Sequence, residues 1–409
     1  MTRPEVLSPA GDMEKLILAA AYGADAVYLA GRAFGMRAAA GNFPDDELRR
    51  AVAYCHDRGV RVYVTCNTIP NDGEMAALPP FLELLEDAGA DAVICADLGV
   101  MNAVKRYAPH AALHMSTQAG VMNADTARAF YDLGAARVVL ARELTLDRIA
   151  ALRAKTPPDL ELEAFCHGAM CVSFSGRCTL SNYLTGRDAN RGECAQPCRW
   201  KYHLVEEKRP GEYFEISEDG GTYILNSRDM CMIDHVPALM AAGVDCLKIE
   251  GRTKSGYYAA AVTNAYRHAA EAAARGEPLD PVWSREVYQV SHRPYSTGFY
   301  FGAPGQYTED ACYFSESDVA AMVEACDGDG NAVLTQRNRF FPGDGMELLM
   351  PGQAPLSFVM GPMTDAEGRT VEAARHPQME LHAVLPVPAP RYSFLRIKRA
   401  AALPGHGIG

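Results

Sequence analysis

The chain has 409 residues and a formal charge of −12 at pH 7; it is too long for one small module and fits a large barrel with an appendage, or two to three ordinary domains. A hydrophobic content of 48% and a charged content of 22% exclude disordered and fibrous classes. The acidity argues against non-specific coating of nucleic acid, although not against local basic patches. No apolar run reaches the roughly 18 residues of a membrane span, and the opening MTRPEVLSPAGD lacks a secretory apolar core. A cytoplasmic protein without a membrane partner is therefore expected, its twelve cysteines being thiols or metal ligands rather than disulfides.

In chain order, short apolar runs fall at Val6–Pro9, Ala26–Gly31, Arg61–Asn67, Ala92–Asp97, Leu113–Thr117, Arg137–Ala141, Leu160–His167 and Cys246–Gly251. Amphipathic stretches such as Met13–Tyr22, Asp45–Arg58, Pro80–Ala88, Thr126–Leu133 and Leu146–Lys155 lie between them. Alternation of this kind implies parallel strands with right-handed crossovers. Eight units close a (β/α)8 TIM-like barrel. A doubly wound sheet is the competing arrangement, but no G-x-G-x-x-G follows the first run. A helix over Ser255–Arg275 completes the barrel, Glu277–Pro281 forms a link, and a polar, aromatic segment follows. From about Ala332 to Lys398, short alternating strands with Pro and Gly turns predict a small β-barrel. The expected class is α/β. Its bounds are 1–276 for the barrel, with a cysteine-rich insertion at 168–226 after strand 7, then 277–330 for the linker and aromatic segment and 331–409 for the small β-barrel domain.

In such a barrel, function collects at the carboxyl ends of the strands. Ser8, Asn67, Asp97, Ser116 and Gln118 fall there, then Arg142 and Glu143 after the sixth strand, His167 after the seventh, and Lys248, Glu250 and Arg252 along or after the eighth. Strand ends are always more polar than strand middles, which accounts for about half of these. Two arginines, a lysine and two carboxylates on one rim also describe a pocket for a small anionic molecule.

The seventh unit is abnormal. About sixty residues separate Gly168 from the helix expected near Ser227, far more than an ordinary βα loop. Cys171, Cys178, Cys194 and Cys198 lie in this stretch with C-x6-C and C-x3-C spacings. Four thiolates can hold a tetrahedral zinc ion or a 4Fe–4S cluster. Zinc knuckles favour C-x2-C, so the wider spacings here suit the larger body better. Cys55, Cys66, Cys95, Cys246, Cys312 and Cys326 read as buried small hydrophobes, while Cys166 and Cys231 are left open, Cys231 as a substitute ligand. Residues 169–210 carry seven basic against four acidic side chains, and Arg337, Arg339, Arg391, Arg396, Lys398 and Arg399 mark a basic C-terminal region. Phe174, Tyr183, Trp200 and Tyr202 either stack bases or pack the loop. No H-E-x-x-H or G-x-S-x-G supports a hydrolase, and Cys166 and His167, being neighbours on a strand, point to opposite faces.

The motifs Leu7-Ser8-Pro9-Ala10-Gly11-Asp12, Gly168–Cys178 (G-A-M-C-x-S-x-S-G-R-C), Ile249-Glu250-Gly251-Arg252 and Ser291-His292-Arg293-Pro294-Tyr295 resemble the collagenase-like (U-type) peptidase family over essentially the whole chain. Within it, Cys194-x3-Cys198 followed by Arg199-Trp200, together with Asn226-Ser227-Arg228-Asp229, is most similar to the prephenate-dependent tRNA wobble-uridine hydroxylases. That resemblance implies a 4Fe–4S cluster on Cys171, Cys178, Cys194 and Cys198, prephenate as co-substrate and hydroxyl source, and the tRNA anticodon region as partner. Arg142, Lys248 and Arg252 would then clamp the small anion, and Glu143, His167 or Glu250 would handle the proton. Hydroxylation of ribosomal RNA or a quinone precursor, a peptidase activity, and a paralogous protein partner stay open.

Overall fold

A computed structural model describes residues 2–36, 41–200, 202, 226–305, 307 and 313–399, with the backbone alone at 204–205 and 213–214. Eight parallel strands form the barrel: β1 (Glu5–Pro9), β2 (Ala26–Leu29), β3 (Arg61–Cys66), β4 (Ala92–Cys95), β5 (Ala112–Met115), β6 (Arg137–Val139), β7 (Glu161–Ala169) and β8 (Cys246–Ile249). Each pairs with the next, and β8 pairs with both β7 and β1, so the barrel closes. These are the eight runs expected from sequence. Helices α1 (Met13–Ala21), α2 (Asp45–His56), α3 (Asp72–Ala88), α4 (Leu98–Tyr107), α5 (Ala124–Asp132), α6 (Leu146–Arg153), α7 (Val236–Ala241) and α8 (Gly256–Arg275) follow the strands in turn. Helix α3 begins eight residues earlier than the expected Pro80. The Asn71 and Glu74 side chains form a reciprocal capping box that starts it, although Pro79 and Pro80 lie inside. Among the described residues no helix is long and apolar enough to cross a membrane.

The barrel interior is partly ionic. Leu7, Ala26, Tyr28, Tyr63, Ala92 and Ile94 fill part of it. Beside them runs a chain of charges in which Arg61 meets Glu5, Glu5 meets Arg137 at 2.8 Å, Arg137 meets Glu163 at 3.1 Å, and Glu163 meets Lys248 at 2.6 Å. Burial would raise the Glu5 carboxyl, but Arg137 and Arg61 hold it below its usual range.

The seventh unit departs from the expectation in register. Strand β7 runs on to Ala169, and Asp229–Cys231 pairs antiparallel with that extension, so the helix starts at Val236 rather than near Ser227. His167, on the extension, turns away from the strand-end rim. It is 1% exposed, lies 3.3 Å from the Tyr266 and Tyr295 hydroxyls, and is packed among the rings of Tyr258, Tyr266 and Tyr295. Burial pushes its pKa down to about 3.

The C-terminal domain is an eight-stranded antiparallel half-barrel. Its strands are β9 (Ser317–Cys326), β10 (Asn331–Gln336), β11 (Gly345–Leu349), β12 (Leu356–Val359), β13 (Met363–Asp365), β14 (Thr370–Val371), β15 (Glu380–Val384) and β16 (Phe394–Lys398), ordered β12-β11-β16-β9-β10-β15-β13-β14. Its first strand lies within the stretch read as linker. The domain is fastened to the barrel by Arg396, which is 1% exposed and bonds Glu286 of the helix α9 (Pro281–Glu286) at 2.6 and 2.8 Å and Tyr257 at 2.8 Å. The basic character read from this region is mostly spent internally. Arg337 pairs with Glu14, Arg391 with Glu324, Lys398 with Glu347 and Arg399 with Asp318. Of the six cysteines read as core, Cys55, Cys66, Cys95 and Cys246 are buried and Cys326 is half-buried; Cys312 lies outside the described residues.

Two outcomes follow from this packing. Arg396→Ala strands the buried Glu286 carboxylate and should cost about 3–5 kcal/mol by chemical denaturation, whereas Arg399→Ala, at an exposed pair, should cost less than about 1 kcal/mol. His167 stays neutral when folded, while the unfolded side chain takes up a proton below about pH 6.5. Stability should therefore fall as pH drops through that value, and His167→Gln, which can keep a hydrogen bond to a tyrosine hydroxyl, should flatten this part of a Tm-against-pH curve.

Candidate active site

A cavity of about 170 Å³ opens at the carboxyl ends of the barrel strands. Tyr28 of β2, Thr65 of β3, Ile94 of β4, Phe165 of β7 and Lys248 of β8 line its barrel side, and Cys171, Cys178, Cys194 and Cys198 of the insertion line its roof. Five of the six non-cysteine residues expected at the site (Arg142, Glu143, Lys248, Glu250 and Arg252) line the same cavity. His167 does not, because its ring is taken up by the tyrosine cluster outside the rim; its expected part in proton transfer is withdrawn.

The insertion is held over the barrel by short-range geometry. Gly168 adopts φ +105°, and a Cβ there would stand 2.3 Å from the Glu250 carbonyl oxygen; only glycine lets the chain leave β7 beside β8. Gly176, at φ +72°, sits so close to the turn after β5 that a Cβ would be 2.8 Å from the Gln118 backbone. Between them, the Ser175 backbone N–H donates to the Glu143 carboxylate at 2.9 Å and its hydroxyl donates at 3.2 Å. Glu143 thus anchors the cysteine loop rather than standing open as a base. Further along, the Asn190 amide donates to the Cys178 carbonyl at 2.9 Å, and Arg191 pairs with Glu74 of α3.

Cys171 is exposed and Cys178, Cys194 and Cys198 are half-buried. Burial raises the Cys198 thiol, Arg199 opposes this, and charge on Cys171, Cys194 and Cys178 raises it further. The four cysteines line one cavity, with the other three close enough to Cys198 to act on its charge. No three His, Cys, Asp or Glu side chains among the described residues converge tightly enough for a single metal ion. Four soft donors spread around one cavity wall fit a multi-iron body better than one tetrahedral ion. Cys231 is not at this wall. It lies opposite His167 on the short strand Asp229–Cys231, and burial pushes its thiol up to about 12.

The cations divide into two kinds. Lys248 is 5% exposed and its ammonium is already matched by Glu163, so it adds little free positive charge. Arg142 lies 3.8 Å over the Phe165 ring and spends one nitrogen on the Ala169 carbonyl at 2.8 Å. Arg252 is anchored by a 3.1 Å bond to the Thr65 hydroxyl. Glu250 touches the Tyr28 hydroxyl at 3.4 Å. Sequence reasoning missed the roles of Thr65, Ser175, Tyr28 and Phe165. Ser175 stands inside the cysteine signature and was findable there; Tyr28 and Phe165 sit in apolar runs that look like any barrel strand. Gln118 was noted as a rim residue, and its carboxamide, buried beside the cavity, has no hydrogen-bond partner on either atom among the described residues.

The description Peptidase family U32 matches residues 11–310, and Peptidase family U32 C-terminal domain matches residues 315–396. A tRNA hydroxylation protein P1 from Bacillus subtilis is 35% identical over 382 residues, 92% of this chain and 90% of its own length. A 23S rRNA 5-hydroxycytidine C2501 synthase from Escherichia coli is 38% identical over 270 residues, 66% of this chain and 40% of its own. A protein named Collagenase from Porphyromonas gingivalis is 33% identical over 311 residues, 73% of each chain. With both the barrel and the half-barrel matched, the chain belongs to peptidase family U32.

Proposed function

We propose that this protein is an RNA-modifying hydroxylase that carries a 4Fe–4S cluster on Cys171, Cys178, Cys194 and Cys198. Its proposed reaction is C5-hydroxylation of the tRNA wobble uridine, with prephenate as the source of the hydroxyl group. The observation that carries this reading is one cavity roofed by four thiols and floored by Arg142, Arg252 and Glu250. Relatives named for tRNA and rRNA hydroxylation support the substrate class. A hydrolytic reading, suggested by the Collagenase relative, finds less support: no histidine lines the cavity among the described residues, and a cysteine nucleophile would need a nearby base.

Bound to the four thiols, the cluster would supply one-electron redox and Lewis-acid chemistry at the cavity wall. The chain's own residues bind and orient. Arg142 and Arg252 take the two carboxylates of the co-substrate, each pre-aimed by its own anchor, so little side-chain freedom is lost on binding. Tyr28 and Phe165 exclude water from one side. Glu250 is a second carboxylate lining the cavity, and it serves to hold or accept a proton at the bound base. The target nucleotide must be unpaired to enter so enclosed a site.

Protein purified without oxygen should be brown and hold about four irons per chain, and Cys→Ser at each of the four positions should lower that content. A colourless zinc protein with undiminished activity sinks the cluster. In a deletion strain, nucleoside mass spectrometry of tRNA should show loss of 5-hydroxyuridine derivatives, restored by the wild-type chain. With iron content held, Arg142→Gln should raise the KM for prephenate roughly tenfold or more. Glu250→Gln should instead lower kcat by about 10²–10⁴.

A further inference from the structure

The outer face of the insertion carries side chains that the cavity chemistry does not use. Helix Leu180–Thr185 packs against the Pro197–Arg199 turn, bringing Tyr183 and Trp200 onto one lobe above the cavity roof. Tyr183 is 85% exposed, Leu184 50% and Trp200 42%. Three large apolar side chains exposed on one short segment are more informative than one alone, since grouped exposed apolar surface marks interaction sites. The same lobe is basic in an acidic protein: residues 171–200 hold four arginines against Asp188 and Glu193. Arg191 is paired with Glu74 and Arg199 bonds the Tyr313 hydroxyl at 2.7 Å. Arg177 and Arg187 are exposed and make no ion pair among the described residues.

We infer that this face is a single-stranded RNA platform on which Tyr183 stacks a base adjoining the nucleotide in the cavity, with Arg177 and Arg187 on its phosphates. The inference rests on the RNA-hydroxylase reading and names the surface that presents the substrate. Charge complementarity selects the occupant. An open ring on the same segment as exposed guanidinium groups that make no ion pair among the described residues suits the alternation of base and phosphate along an unpaired strand. A protein partner of stable affinity would need a broader apolar centre depleted of charge, and a duplex would keep its bases from the ring.

The test is fluorescence anisotropy with the full chain and a labelled RNA stem-loop carrying unpaired uridines, beside a fully paired hairpin of the same length. Tyr183→Ala should weaken stem-loop binding about tenfold and leave the paired hairpin unchanged, while Tyr183→Phe should stay within about twofold of wild type. Arg177→Gln and Arg187→Gln should each make the salt dependence shallower by about one unit of slope. Because these side chains are exposed, Tm and iron content should not move. Wild-type affinity in Tyr183→Ala, or an equal loss on both RNAs, overturns the platform. Weakened binding of denatured collagen by Tyr183→Ala, with RNA binding intact, assigns the face to a protein instead. If the wild-type chain itself binds and modifies no RNA, the hydroxylase reading fails; if it does both and Tyr183→Ala does so equally well, only the platform fails.

Discussion

The ion chain along the barrel axis constrains everything built above it. Arg61, Arg137 and Lys248 are balanced there by Glu5, Glu161 and Glu163. Arg61 and Glu161 are half exposed, but Glu5, Arg137, Glu163 and Lys248 are buried. Charges this deep are tolerated only when each is paired and hydrogen-bonded, since the desolvation of any one left alone would cost several kcal/mol. The neutrality of the chain fixes what its last member can do. Lys248 reaches the cavity floor with its charge already answered by Glu163, so it shapes and polarises the floor without making it strongly cationic. In the proposed reaction, recognition of an anion falls to Arg142 and to Arg252, which bonds the Thr65 hydroxyl. Arg142 is held by the Ala169 carbonyl, and a neutral anchor orients a guanidinium without cancelling its charge.

The roof depends on a different economy of contacts. Among its described residues the loop contributes little to the buried apolar clusters, and its position over the barrel is set at a few points. Glu143 receives two bonds from Ser175, Gly168 and Gly176 permit backbone approaches that no other residue would allow, and Arg191 ties the far end to Glu74. Cys171 and Cys178 stand between these fixed points and Cys194 and Cys198 follow closely after Arg191, so the placement of the first pair is set by contacts with the barrel. A residue expected to move protons is, in this geometry, a strut for the donor set.

The barrel and the location of the site were legible in the sequence because both rest on local periodicity. Apolar runs alternating with helical stretches mark the strands, and polar residues just beyond each run mark the rim; Arg142, Glu143, Lys248, Glu250 and Arg252 were all found that way. What escaped was set by long-range partners. His167 follows the same rule yet lies on an extension of β7 that pairs with Asp229–Cys231, and the tyrosines that bury it come from α8 and the segment near residue 295. Nothing in the sequence near residue 167 announces those rings. The same holds for the pairing of Lys248 with Glu163, eighty-five residues apart, and for the role of Glu143 as an anchor.

The distribution of charge then decides which face can meet a polyanion. The C-terminal half-barrel carries a cluster of basic residues at its end, but Arg396 is buried in its joint with the barrel and most of the others are answered by neighbouring carboxylates. A field made of closed pairs falls off quickly in solution. The insertion is different, since Arg177 and Arg187 stand exposed without such partners among the described residues, on the same loop that carries the cysteines. On the proposed reading, an RNA approaching a chain with a net charge of −12 would find its favourable potential on this segment. The cysteines and the open arginines share one loop, so the long insertion after β7 would serve both binding and chemistry in that proposal.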